Sequence, residues 1–322
     1  MEKKKLLVLG IILPLILGYY INISCRLNSI SNNYQTNRIK ESIIYYNNLI
    51  IISDDNTNWN NDDSHAPSLA LDNNGREHIV WEDDTDGIWD TDTEIMYAYN
   101  TGLGWSNATV ISDGYNGVYW NDGNSFNPSI AIDNNSNIIH IVWADTTDGV
   151  WGTDLDIMYC NFTQGIGWSN ATVISDGYNG VYWNDGSSTS PSIAADNIGG
   201  IHVIWLDYTS GPWGNTSEIM YTSNSGSGWS NATVISDGYN GVYWNNGPHW
   251  DLDISIDNLN NIHVVWSDET DGIWGTNMEI LYTSNSGSGW SNATVISDGY
   301  NGVYWNDGDN LNPSITADII GG

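Results

Sequence analysis

The chain has 322 residues, of which 39 are acidic and 7 are basic, and its formal charge at pH 7 is −32. No Lys or Arg follows Arg76. Nucleic acids and anionic lipid headgroups are both bound through clustered cations, so this composition excludes both partners for the main part of the chain. Two cysteines cannot build a disulfide framework. Eighteen Trp and 19 Tyr are far too many aromatic residues for a disordered acidic chain.

Residues 1–25 are predicted to be a signal peptide or a membrane anchor. Three lysines at positions 3–5 precede an apolar run over residues 6–21, which is the order of regions in a secretory signal. If it is retained, the run forms an apolar anchor helix. Because lysines ahead of such a run stay inside the cell, the rest of the chain is expected to be extracellular or on the cell surface, touching the membrane only through this segment. Residues 26–48 are polar and Asn-rich, and we expect a linker.

Residues 49–322 consist of repeats. The block GWSNATVISDGYNGVYWNDG occupies residues 104–123 and recurs at 167–186 and 289–308, and with one change at 228–247. Self-similarity at a fixed period is the signature of a repeat architecture. The full repeats, of about 61–63 residues, are placed at residues 67–127, 128–190, 191–251 and 252–312, and a partial repeat follows at 313–322.

Each repeat is predicted to contain four short strands, named a to d. In the second repeat these are residues 129–133, 139–143, 156–159 and 168–175, which are β-branched and aromatic runs separated by Gly, Asn and Asp. Tandem units of this kind are typical of propeller blades, which bury their faces against one another. We therefore predict an all-β fold, a β-propeller of four full four-stranded antiparallel blades plus partial ones, behind the N-terminal apolar helix. An open β-solenoid is the alternative, and a larger ring is expected because the last repeat stops in mid-hairpin.

The turn between strands c and d carries a recognisable motif. The sequence TSNSGSGW at residues 222–229 and 283–290 resembles the Asp-box, S-x-D-x-G-x-T-W, of sialidase-like (BNR-repeat) β-propellers, with Asn in place of Asp and Gly in place of Thr. The resemblance implies the same fold, in which the box is structural. Sialidases hold the substrate carboxylate with three arginines, and this chain has none after Arg76. The resemblance therefore does not extend to catalysis.

One face of the ring is predicted to collect the b–c loops and the d–a connections, because in an antiparallel blade both leave from the same side. The d–a connection repeats the triplet Tyr-Trp-Asn, whose aromatic rings can stack on sugars while the amide binds hydroxyl groups. Several weak identical sites add up through multivalency. The alternative is that these rings pack adjacent blades together. The candidate ligand-binding residues are Tyr119, Trp120, Asn121, Tyr182, Trp183, Asn184, Tyr243, Trp244, Asn245, Tyr304, Trp305 and Asn306.

The b–c loops are acidic, and clustered oxygen ligands suit Ca²⁺. The alternative is that Asp-Gly pairs form turns and that the acids make a solvated face. The candidate calcium ligands are Asp83, Asp84, Asp86, Asp145, Asp148, Asp268 and Asp271.

Two further features recur in every repeat. An N-A-T sequon, a glycosylation acceptor in an exported protein, begins at Asn107, Asn170, Asn231 and Asn292. A histidine lies inside the apolar strand b, at positions 78, 140, 202 and 263, where a buried, hydrogen-bonded role is expected rather than a metal ring.

No signature of nucleophilic or acid–base catalysis is present. The sequence predicts a non-catalytic extracellular or cell-surface binding or adhesion module, whose partners are glycans or surface proteins bound through one propeller face. A glycan-acting hydrolase or lyase using Asp and Glu is one alternative, and a purely structural surface protein is another. An enzyme needs one pocket that differs from the others, and the residues that break the repeat are Arg76, Pro212, His249 and Trp250.

Overall fold

The computed structural model describes residues 50–53, 60, 62–89, 91–113, 121–176, 184–237, 247–272, 274–297 and 308–317. Strands are the only extended regular structure within these ranges. No helix in the described part of the chain is long and apolar enough to span a bilayer. The predicted leader and linker lie outside the described residues.

The strands form four antiparallel sheets, which we call blades. The first contains β1 (Ser64–Leu71), β2 (Glu77–Asp83), β3 (Glu94–Tyr99) and β4 (Thr109–Val110). The second contains β5 (Ser125–Asp133), β6 (Ile138–Asp145), β7 (Asp156–Thr163), β8 (Gly167–Trp168) and β9 (Thr172–Val173). The third contains β10 (Ser188–Ala195), β11 (Ile201–Asp207), β12 (Glu218–Asn224) and β13 (Thr233–Val234). The fourth contains β14 (His249–Ile256), β15 (Ile262–Asp268), β16 (Glu279–Asn285) and β17 (Thr294–Val295).

Within a blade the strands pair in chain order, so the prediction of an all-β fold with antiparallel blades is confirmed for the part of the chain that the structure describes. Strand d of the second blade is split, since β8 and β9 both pair with β7. Strand a starts earlier than predicted because it continues through a bulge. In β5 the register shifts between Phe126 and Ser129, where Asn127 has a φ of 51° and Pro128 follows. Proline cannot donate to the ladder, and the bulge takes it out of register. The bulge brings Ser125 opposite Asp145 at the end of strand b.

The core lies along strand b and between the blades. Trp143 and its neighbours Ile141 and Val142 are all fully buried, as the apolar character of both faces predicts. Val80 of the first blade belongs to the same apolar cluster as Trp143 of the second. Each blade therefore buries its face against the next one, which is why a single repeat is not expected to be stable alone.

A buried hydrogen-bond network closes each blade at the end of strand b. In the second blade Asp145 is fully buried. Its Oδ2 accepts from Trp143 Nε1 at 2.8 Å, from Asn121 Nδ2 at 2.6 Å and from Ser125 Oγ at 2.9 Å. Its Oδ1 accepts from the backbone N–H of Thr147 at 2.8 Å. Asp83 in the first blade and Asp207 in the third blade accept the same four kinds of hydrogen bond.

Short segments flank the four blades. Ile52 packs on the core of the first blade, where the end of a preceding strand d would lie. Residues 308–317 run beside β14, with the N–H of Ile315 donating to Asp253 at 2.9 Å and the N–H of Ala317 donating to Ser255 at 2.9 Å. These contacts match those that strand a of one blade makes with strand a of the blade before it.

The strand-b histidines are structural, as predicted. His140 is 6% exposed, and its Nδ1 shares a hydrogen bond of 2.8 Å with the hydroxyl of Tyr159. The equivalent bonds in the other blades are 2.7–2.8 Å long. Burial lowers the pKa of His140 to about 4, although the carboxylate of Asp133 opposes this change. His140 is therefore neutral in the folded protein at pH 7.

We predict that Asp145→Ala lowers the free energy of unfolding by about 3 kcal/mol or more, because it leaves several buried donors without an acceptor. Urea denaturation followed by tryptophan fluorescence measures the change. The control is Asp148→Ala, an exposed aspartate three residues further on, which should stay within about 0.5 kcal/mol of the wild type. Equal losses in the two variants would contradict a structural role for the network.

We also predict that His140 makes the protein less stable in acid. The unfolded chain takes up a proton near pH 6.5 whereas folded His140 does so only near pH 4. The free energy of unfolding therefore falls as the pH drops between these values, by up to roughly 3 kcal/mol from this group.

Denaturant titrations of wild type and His140→Gln from pH 7.5 to 4 test this, because their difference cancels contributions from other groups. His65→Gln, which replaces a histidine with 49% of its side chain exposed, controls for loss of a histidine as such. Parallel pH profiles for wild type and His140→Gln would show that the buried imidazole has no such effect.

Candidate functional site

Ten of the twelve predicted ligand-binding residues lie outside the described residues. These are Tyr119, Trp120, Tyr182, Trp183, Tyr243, Trp244, Asn245, Tyr304, Trp305 and Asn306. Asn121 and Asn184 are described, and each is 4% exposed. Asn121 donates to Asp145 and Ser125, and its Oδ1 accepts from Gly123 N–H and from the Thr147 hydroxyl. The structure thus corrects the expectation for these two residues, because their amides hold the blade together instead of facing a ligand.

The predicted calcium ligands divide into two groups. Asp83, Asp145 and Asp268 are at most 1% exposed and accept hydrogen bonds within the blade networks. Asp84 is half-buried, and Asp86, Asp148 and Asp271 are exposed. Among the described residues, no three acidic, histidine or cysteine side chains converge to hold a metal ion. Calcium binding by the loops stays a prediction, and three of its seven proposed ligands have another role.

The four sequon asparagines, Asn107, Asn170, Asn231 and Asn292, are all exposed. Their side chains are therefore accessible to a modifying enzyme, and glycosylation stays a prediction.

A cavity of about 410 Å³ lies between the first and second blades, on the side of the a–b and c–d turns. Aromatic rings form its wall. The ring of His78 stacks on Tyr99 with centroids 5.9 Å apart and planes at 16°, and Tyr99 lies 6.1 Å from Tyr97. Tyr97 meets Trp168 of the second blade edge to face, at 5.0 Å and 78°. Phe162 lies 5.2 Å from Trp168.

The polar side of the cavity is built around Arg76. Its Nε donates to Asp72 Oδ2 at 2.8 Å. Asp72 also accepts from the N–H groups of Asn74 at 2.8 Å and Arg76 at 2.9 Å. Burial alone would raise the pKa of Asp72, but these bonds from Arg76 and Asn74 outweigh it and lower the pKa to about 2.

Asp72 therefore stays ionised and fixes the guanidinium at the cavity, where 45% of the Arg76 side chain is exposed. No described residue accepts a hydrogen bond from the two terminal nitrogens of Arg76 in the structure. The amides of Asn107, Asn137 and Gln164 complete the polar side.

Two of the aromatic residues in the wall of this cavity, Tyr99 and Phe162, have no aromatic counterpart at the same register in the other blades. Tyr99 pairs with His78 in the ladder, and the residues at the same register elsewhere are Asn161, Ser223 and Ser284. Phe162 pairs with Ile139, where the third and fourth blades have Asn224 and Asn285. Arg76 was the sequence signal for this site, since it breaks the repeat. Tyr99 and Phe162 break it too, but they lie at the end of strand c, next to the turn motif, where the sequence pattern predicts no binding residues.

The turn motif itself is structural. Oδ1 of Asn224 accepts from the N–H of Gly226 at 2.9 Å and of Gly228 at 3.2 Å, and Asn285 binds the next copy of the turn in the same way. The asparagine thus uses its side-chain oxygen to hold the c–d turn closed.

No protein-family model and no curated protein matches the sequence. Solved structures do match the fold. The leech intramolecular trans-sialidase complexed with 2,7-anhydro-Neu5Ac matches with a TM-score of 0.50 and 12% identity over 79% of this chain and 54% of that one. The NanB sialidase from Streptococcus pneumoniae gives a TM-score of 0.47 and 12% identity, over 77% of this chain and 53% of that one. Zg3597, a family 117 glycoside hydrolase from Zobellia galactanivorans, gives a TM-score of 0.44 and 13% identity, over 73% of this chain and 70% of that one.

The chain spans about half the length of the two sialidases. At 12% identity the likeness concerns the fold alone, and it agrees with the resemblance of the c–d turns to the Asp-box. The chain therefore has a sialidase-like all-β fold.

Proposed function

We propose that the chain is an exported, non-catalytic binding module that holds a sugar unit in the cavity between its first two blades. The observation that carries the proposal is the aromatic wall of Tyr97, Tyr99, Phe162 and Trp168 facing a fixed arginine. The volume of about 410 Å³ falls within the range of small-molecule sites, about 300–1,000 Å³. We take the four blades to be part of a β-propeller, as the sequence predicts.

The chemistry of the cavity suits a neutral sugar. Aromatic faces offer apolar surface to the C–H groups of a sugar ring, and their edges and hydroxyls add fixed polar contacts. The amides of Asn137 and Gln164 can donate to hydroxyl groups and accept from them. Because Asp72 neutralises Arg76, the guanidinium serves as a donor of hydrogen bonds without a net charge that would select an anion.

Binding is favoured over hydrolysis by the count of carboxylates. A glycosidase needs two carboxyl groups across the bond it breaks. Asp72 is the one carboxylate among the described residues that line the cavity. With a pKa of about 2, Asp72 holds no proton to donate at neutral pH.

Export and a place at the cell surface are part of the proposal and rest on the apolar segment behind the lysines at residues 3–5. An acidic surface free of Lys and Arg beyond Arg76 also suits an extracellular environment rich in cations. Glycans of neighbouring cells or surface glycoproteins would then be the partners.

We expect Tyr99→Ser and Phe162→Asn to weaken sugar binding about tenfold each, since each removes one stacking surface worth about 1 kcal/mol or more. Both variants copy residues that the chain already uses at the same register in the third blade, so they should fold. Glycan-array binding followed by titration of the best neutral glycan measures the effect.

Trp250→Ala is the matched control, because this tryptophan is 42% exposed on the fourth blade, away from the cavity. If wild type binds no glycan, or if Trp250→Ala lowers affinity while the cavity variants do not, the proposed site is refuted. Release of a cleaved product, lost on Asp72→Asn, would favour the alternative of a hydrolase. If the protein binds a glycan and releases no cleaved product from it, the hydrolase alternative is excluded.

A further inference from the structure

The sequon asparagine of the first blade is fixed beside the aromatic cavity. Asn107 is exposed and lines the cavity between the first and second blades. The residue before it, Ser106, is tied to Tyr99 by two hydrogen bonds: its N–H donates to the carbonyl oxygen at 2.8 Å, and its Oγ accepts from the N–H at 3.0 Å. Thr109, the third residue of the sequon, pairs with Tyr97 in the ladder. The sequon therefore runs alongside two residues of the cavity wall.

The other three blades have the same turn with a different neighbour. In each of them the serine before the sequon makes the same two hydrogen bonds, but its partner at the end of strand c is a small polar residue: Asn161, Ser223 or Ser284. The asparagines of these sequons are not among the described residues that line the aromatic cavity. The four sequons are thus alike in sequence, and the one at Asn107 is distinguished by an aromatic neighbour.

The side-chain amide of Asn107 is available for modification, because it makes no hydrogen bond to any described residue. Its Nδ2 is the acceptor atom when an exported N-A-T sequon is glycosylated. The donor for this reaction is an oligosaccharide joined through its first sugar to a lipid phosphate. The bond between C1 of that sugar and the phosphate oxygen breaks and leaves its electron pair on the phosphate. C1 then bonds to Nδ2, which gives up one proton.

We infer that a sugar attached to Asn107 occupies the aromatic cavity of its own chain and closes it to free glycans. The inference rests on the proposed function, since it needs a cavity that holds a sugar unit. The asparagine side chain is a short tether, and a ligand on a short tether has an effective concentration of about millimolar or more. At equal affinity, a free glycan must exceed that concentration to displace the attached sugar. Glycosylation of Asn107 is therefore a switch that turns glycan binding off.

The test compares full-length chains exported from a host that glycosylates N-X-T sequons, with peptide mass spectrometry to locate the attached sugars. Asn107→Gln removes the acceptor and keeps an amide, and it is expected to bind the best neutral glycan about tenfold or more tightly than the glycosylated wild type. Asn170→Gln is the matched control, because it removes the sequon that follows the serine bonded to Asn161, and it should bind as the wild type does. The same chains made without glycosylation measure any effect of the substitutions themselves.

Nuclear magnetic resonance of the attached glycan gives a readout that does not depend on binding of a free glycan. Sugar protons that lie over an aromatic ring are shifted upfield by the ring current. The first sugar on Asn107 should show this shift, and Tyr99→Ser should remove it. The sugar on Asn170 should have the chemical shifts of an exposed glycan in both chains.

The inference is overturned if mass spectrometry finds no sugar on Asn107, or if the sugar there shows no upfield shift. It is also overturned if the unglycosylated wild type binds a glycan and the glycosylated wild type binds it as tightly as Asn107→Gln does. The proposed function fails separately, if the unglycosylated wild type binds no glycan. In that case the ring-current shift alone decides whether the attached sugar occupies the cavity.

Discussion

The buried aspartate at the end of strand b organises each blade. In the second blade the carboxylate of Asp145 accepts from a tryptophan in its own strand, from the serine that opens strand a and from an asparagine that precedes it. One side chain thus ties the apolar core to the connection from the blade before. Because Asp145 is fully buried, its carboxylate is tolerated only when donors surround it, and this explains why the first three blades keep the Asn, Ser, Trp, Asp and Thr together. In the fourth blade His249 takes the place of the serine, with Nε2 3.2 Å from Asp268 Oδ2.

The same constraint shapes the electrostatics of the whole chain. In the second blade, Asp156 at the start of strand c interacts electrostatically with Asp176, which follows strand d, and with the buried Asp207 of the third blade. Between the third and fourth blades the imidazole of His249 lies beside Asp268, and in the turn between β1 and β2 the side chain of Arg76 pairs with Asp72. With so few basic side chains, the remaining acids depend on hydrogen bonds, protons or ions from solution.

The architecture could be predicted from the sequence because the patterns that indicate it are local and occur in every repeat. The period, the apolar strand b and the Gly- and Asn-rich turns all point to one four-stranded unit, and the structure has it. The binding site was harder to predict. Five of the residues that looked like ligands are structural acceptors and donors, namely Asp83, Asp145, Asp268, Asn121 and Asn184. The sequence alone cannot tell a buried asparagine from an exposed one. The cavity depends on Tyr99 and Phe162 meeting Trp168 across two blades, and this contact is set by register and packing rather than by spacing in the chain.

Most contacts between neighbouring blades are the same from one interface to the next. Tyr159 meets Trp229 at 4.9 Å and 78°, almost as Tyr97 meets Trp168, and Tyr221 meets Trp290 at 4.9 Å and 77°. Surfaces this alike fit any blade of the series as a neighbour. A gene rearrangement that duplicates or deletes one whole repeat therefore leaves each remaining junction matched, so the number of blades can change during evolution without redesign of the interfaces.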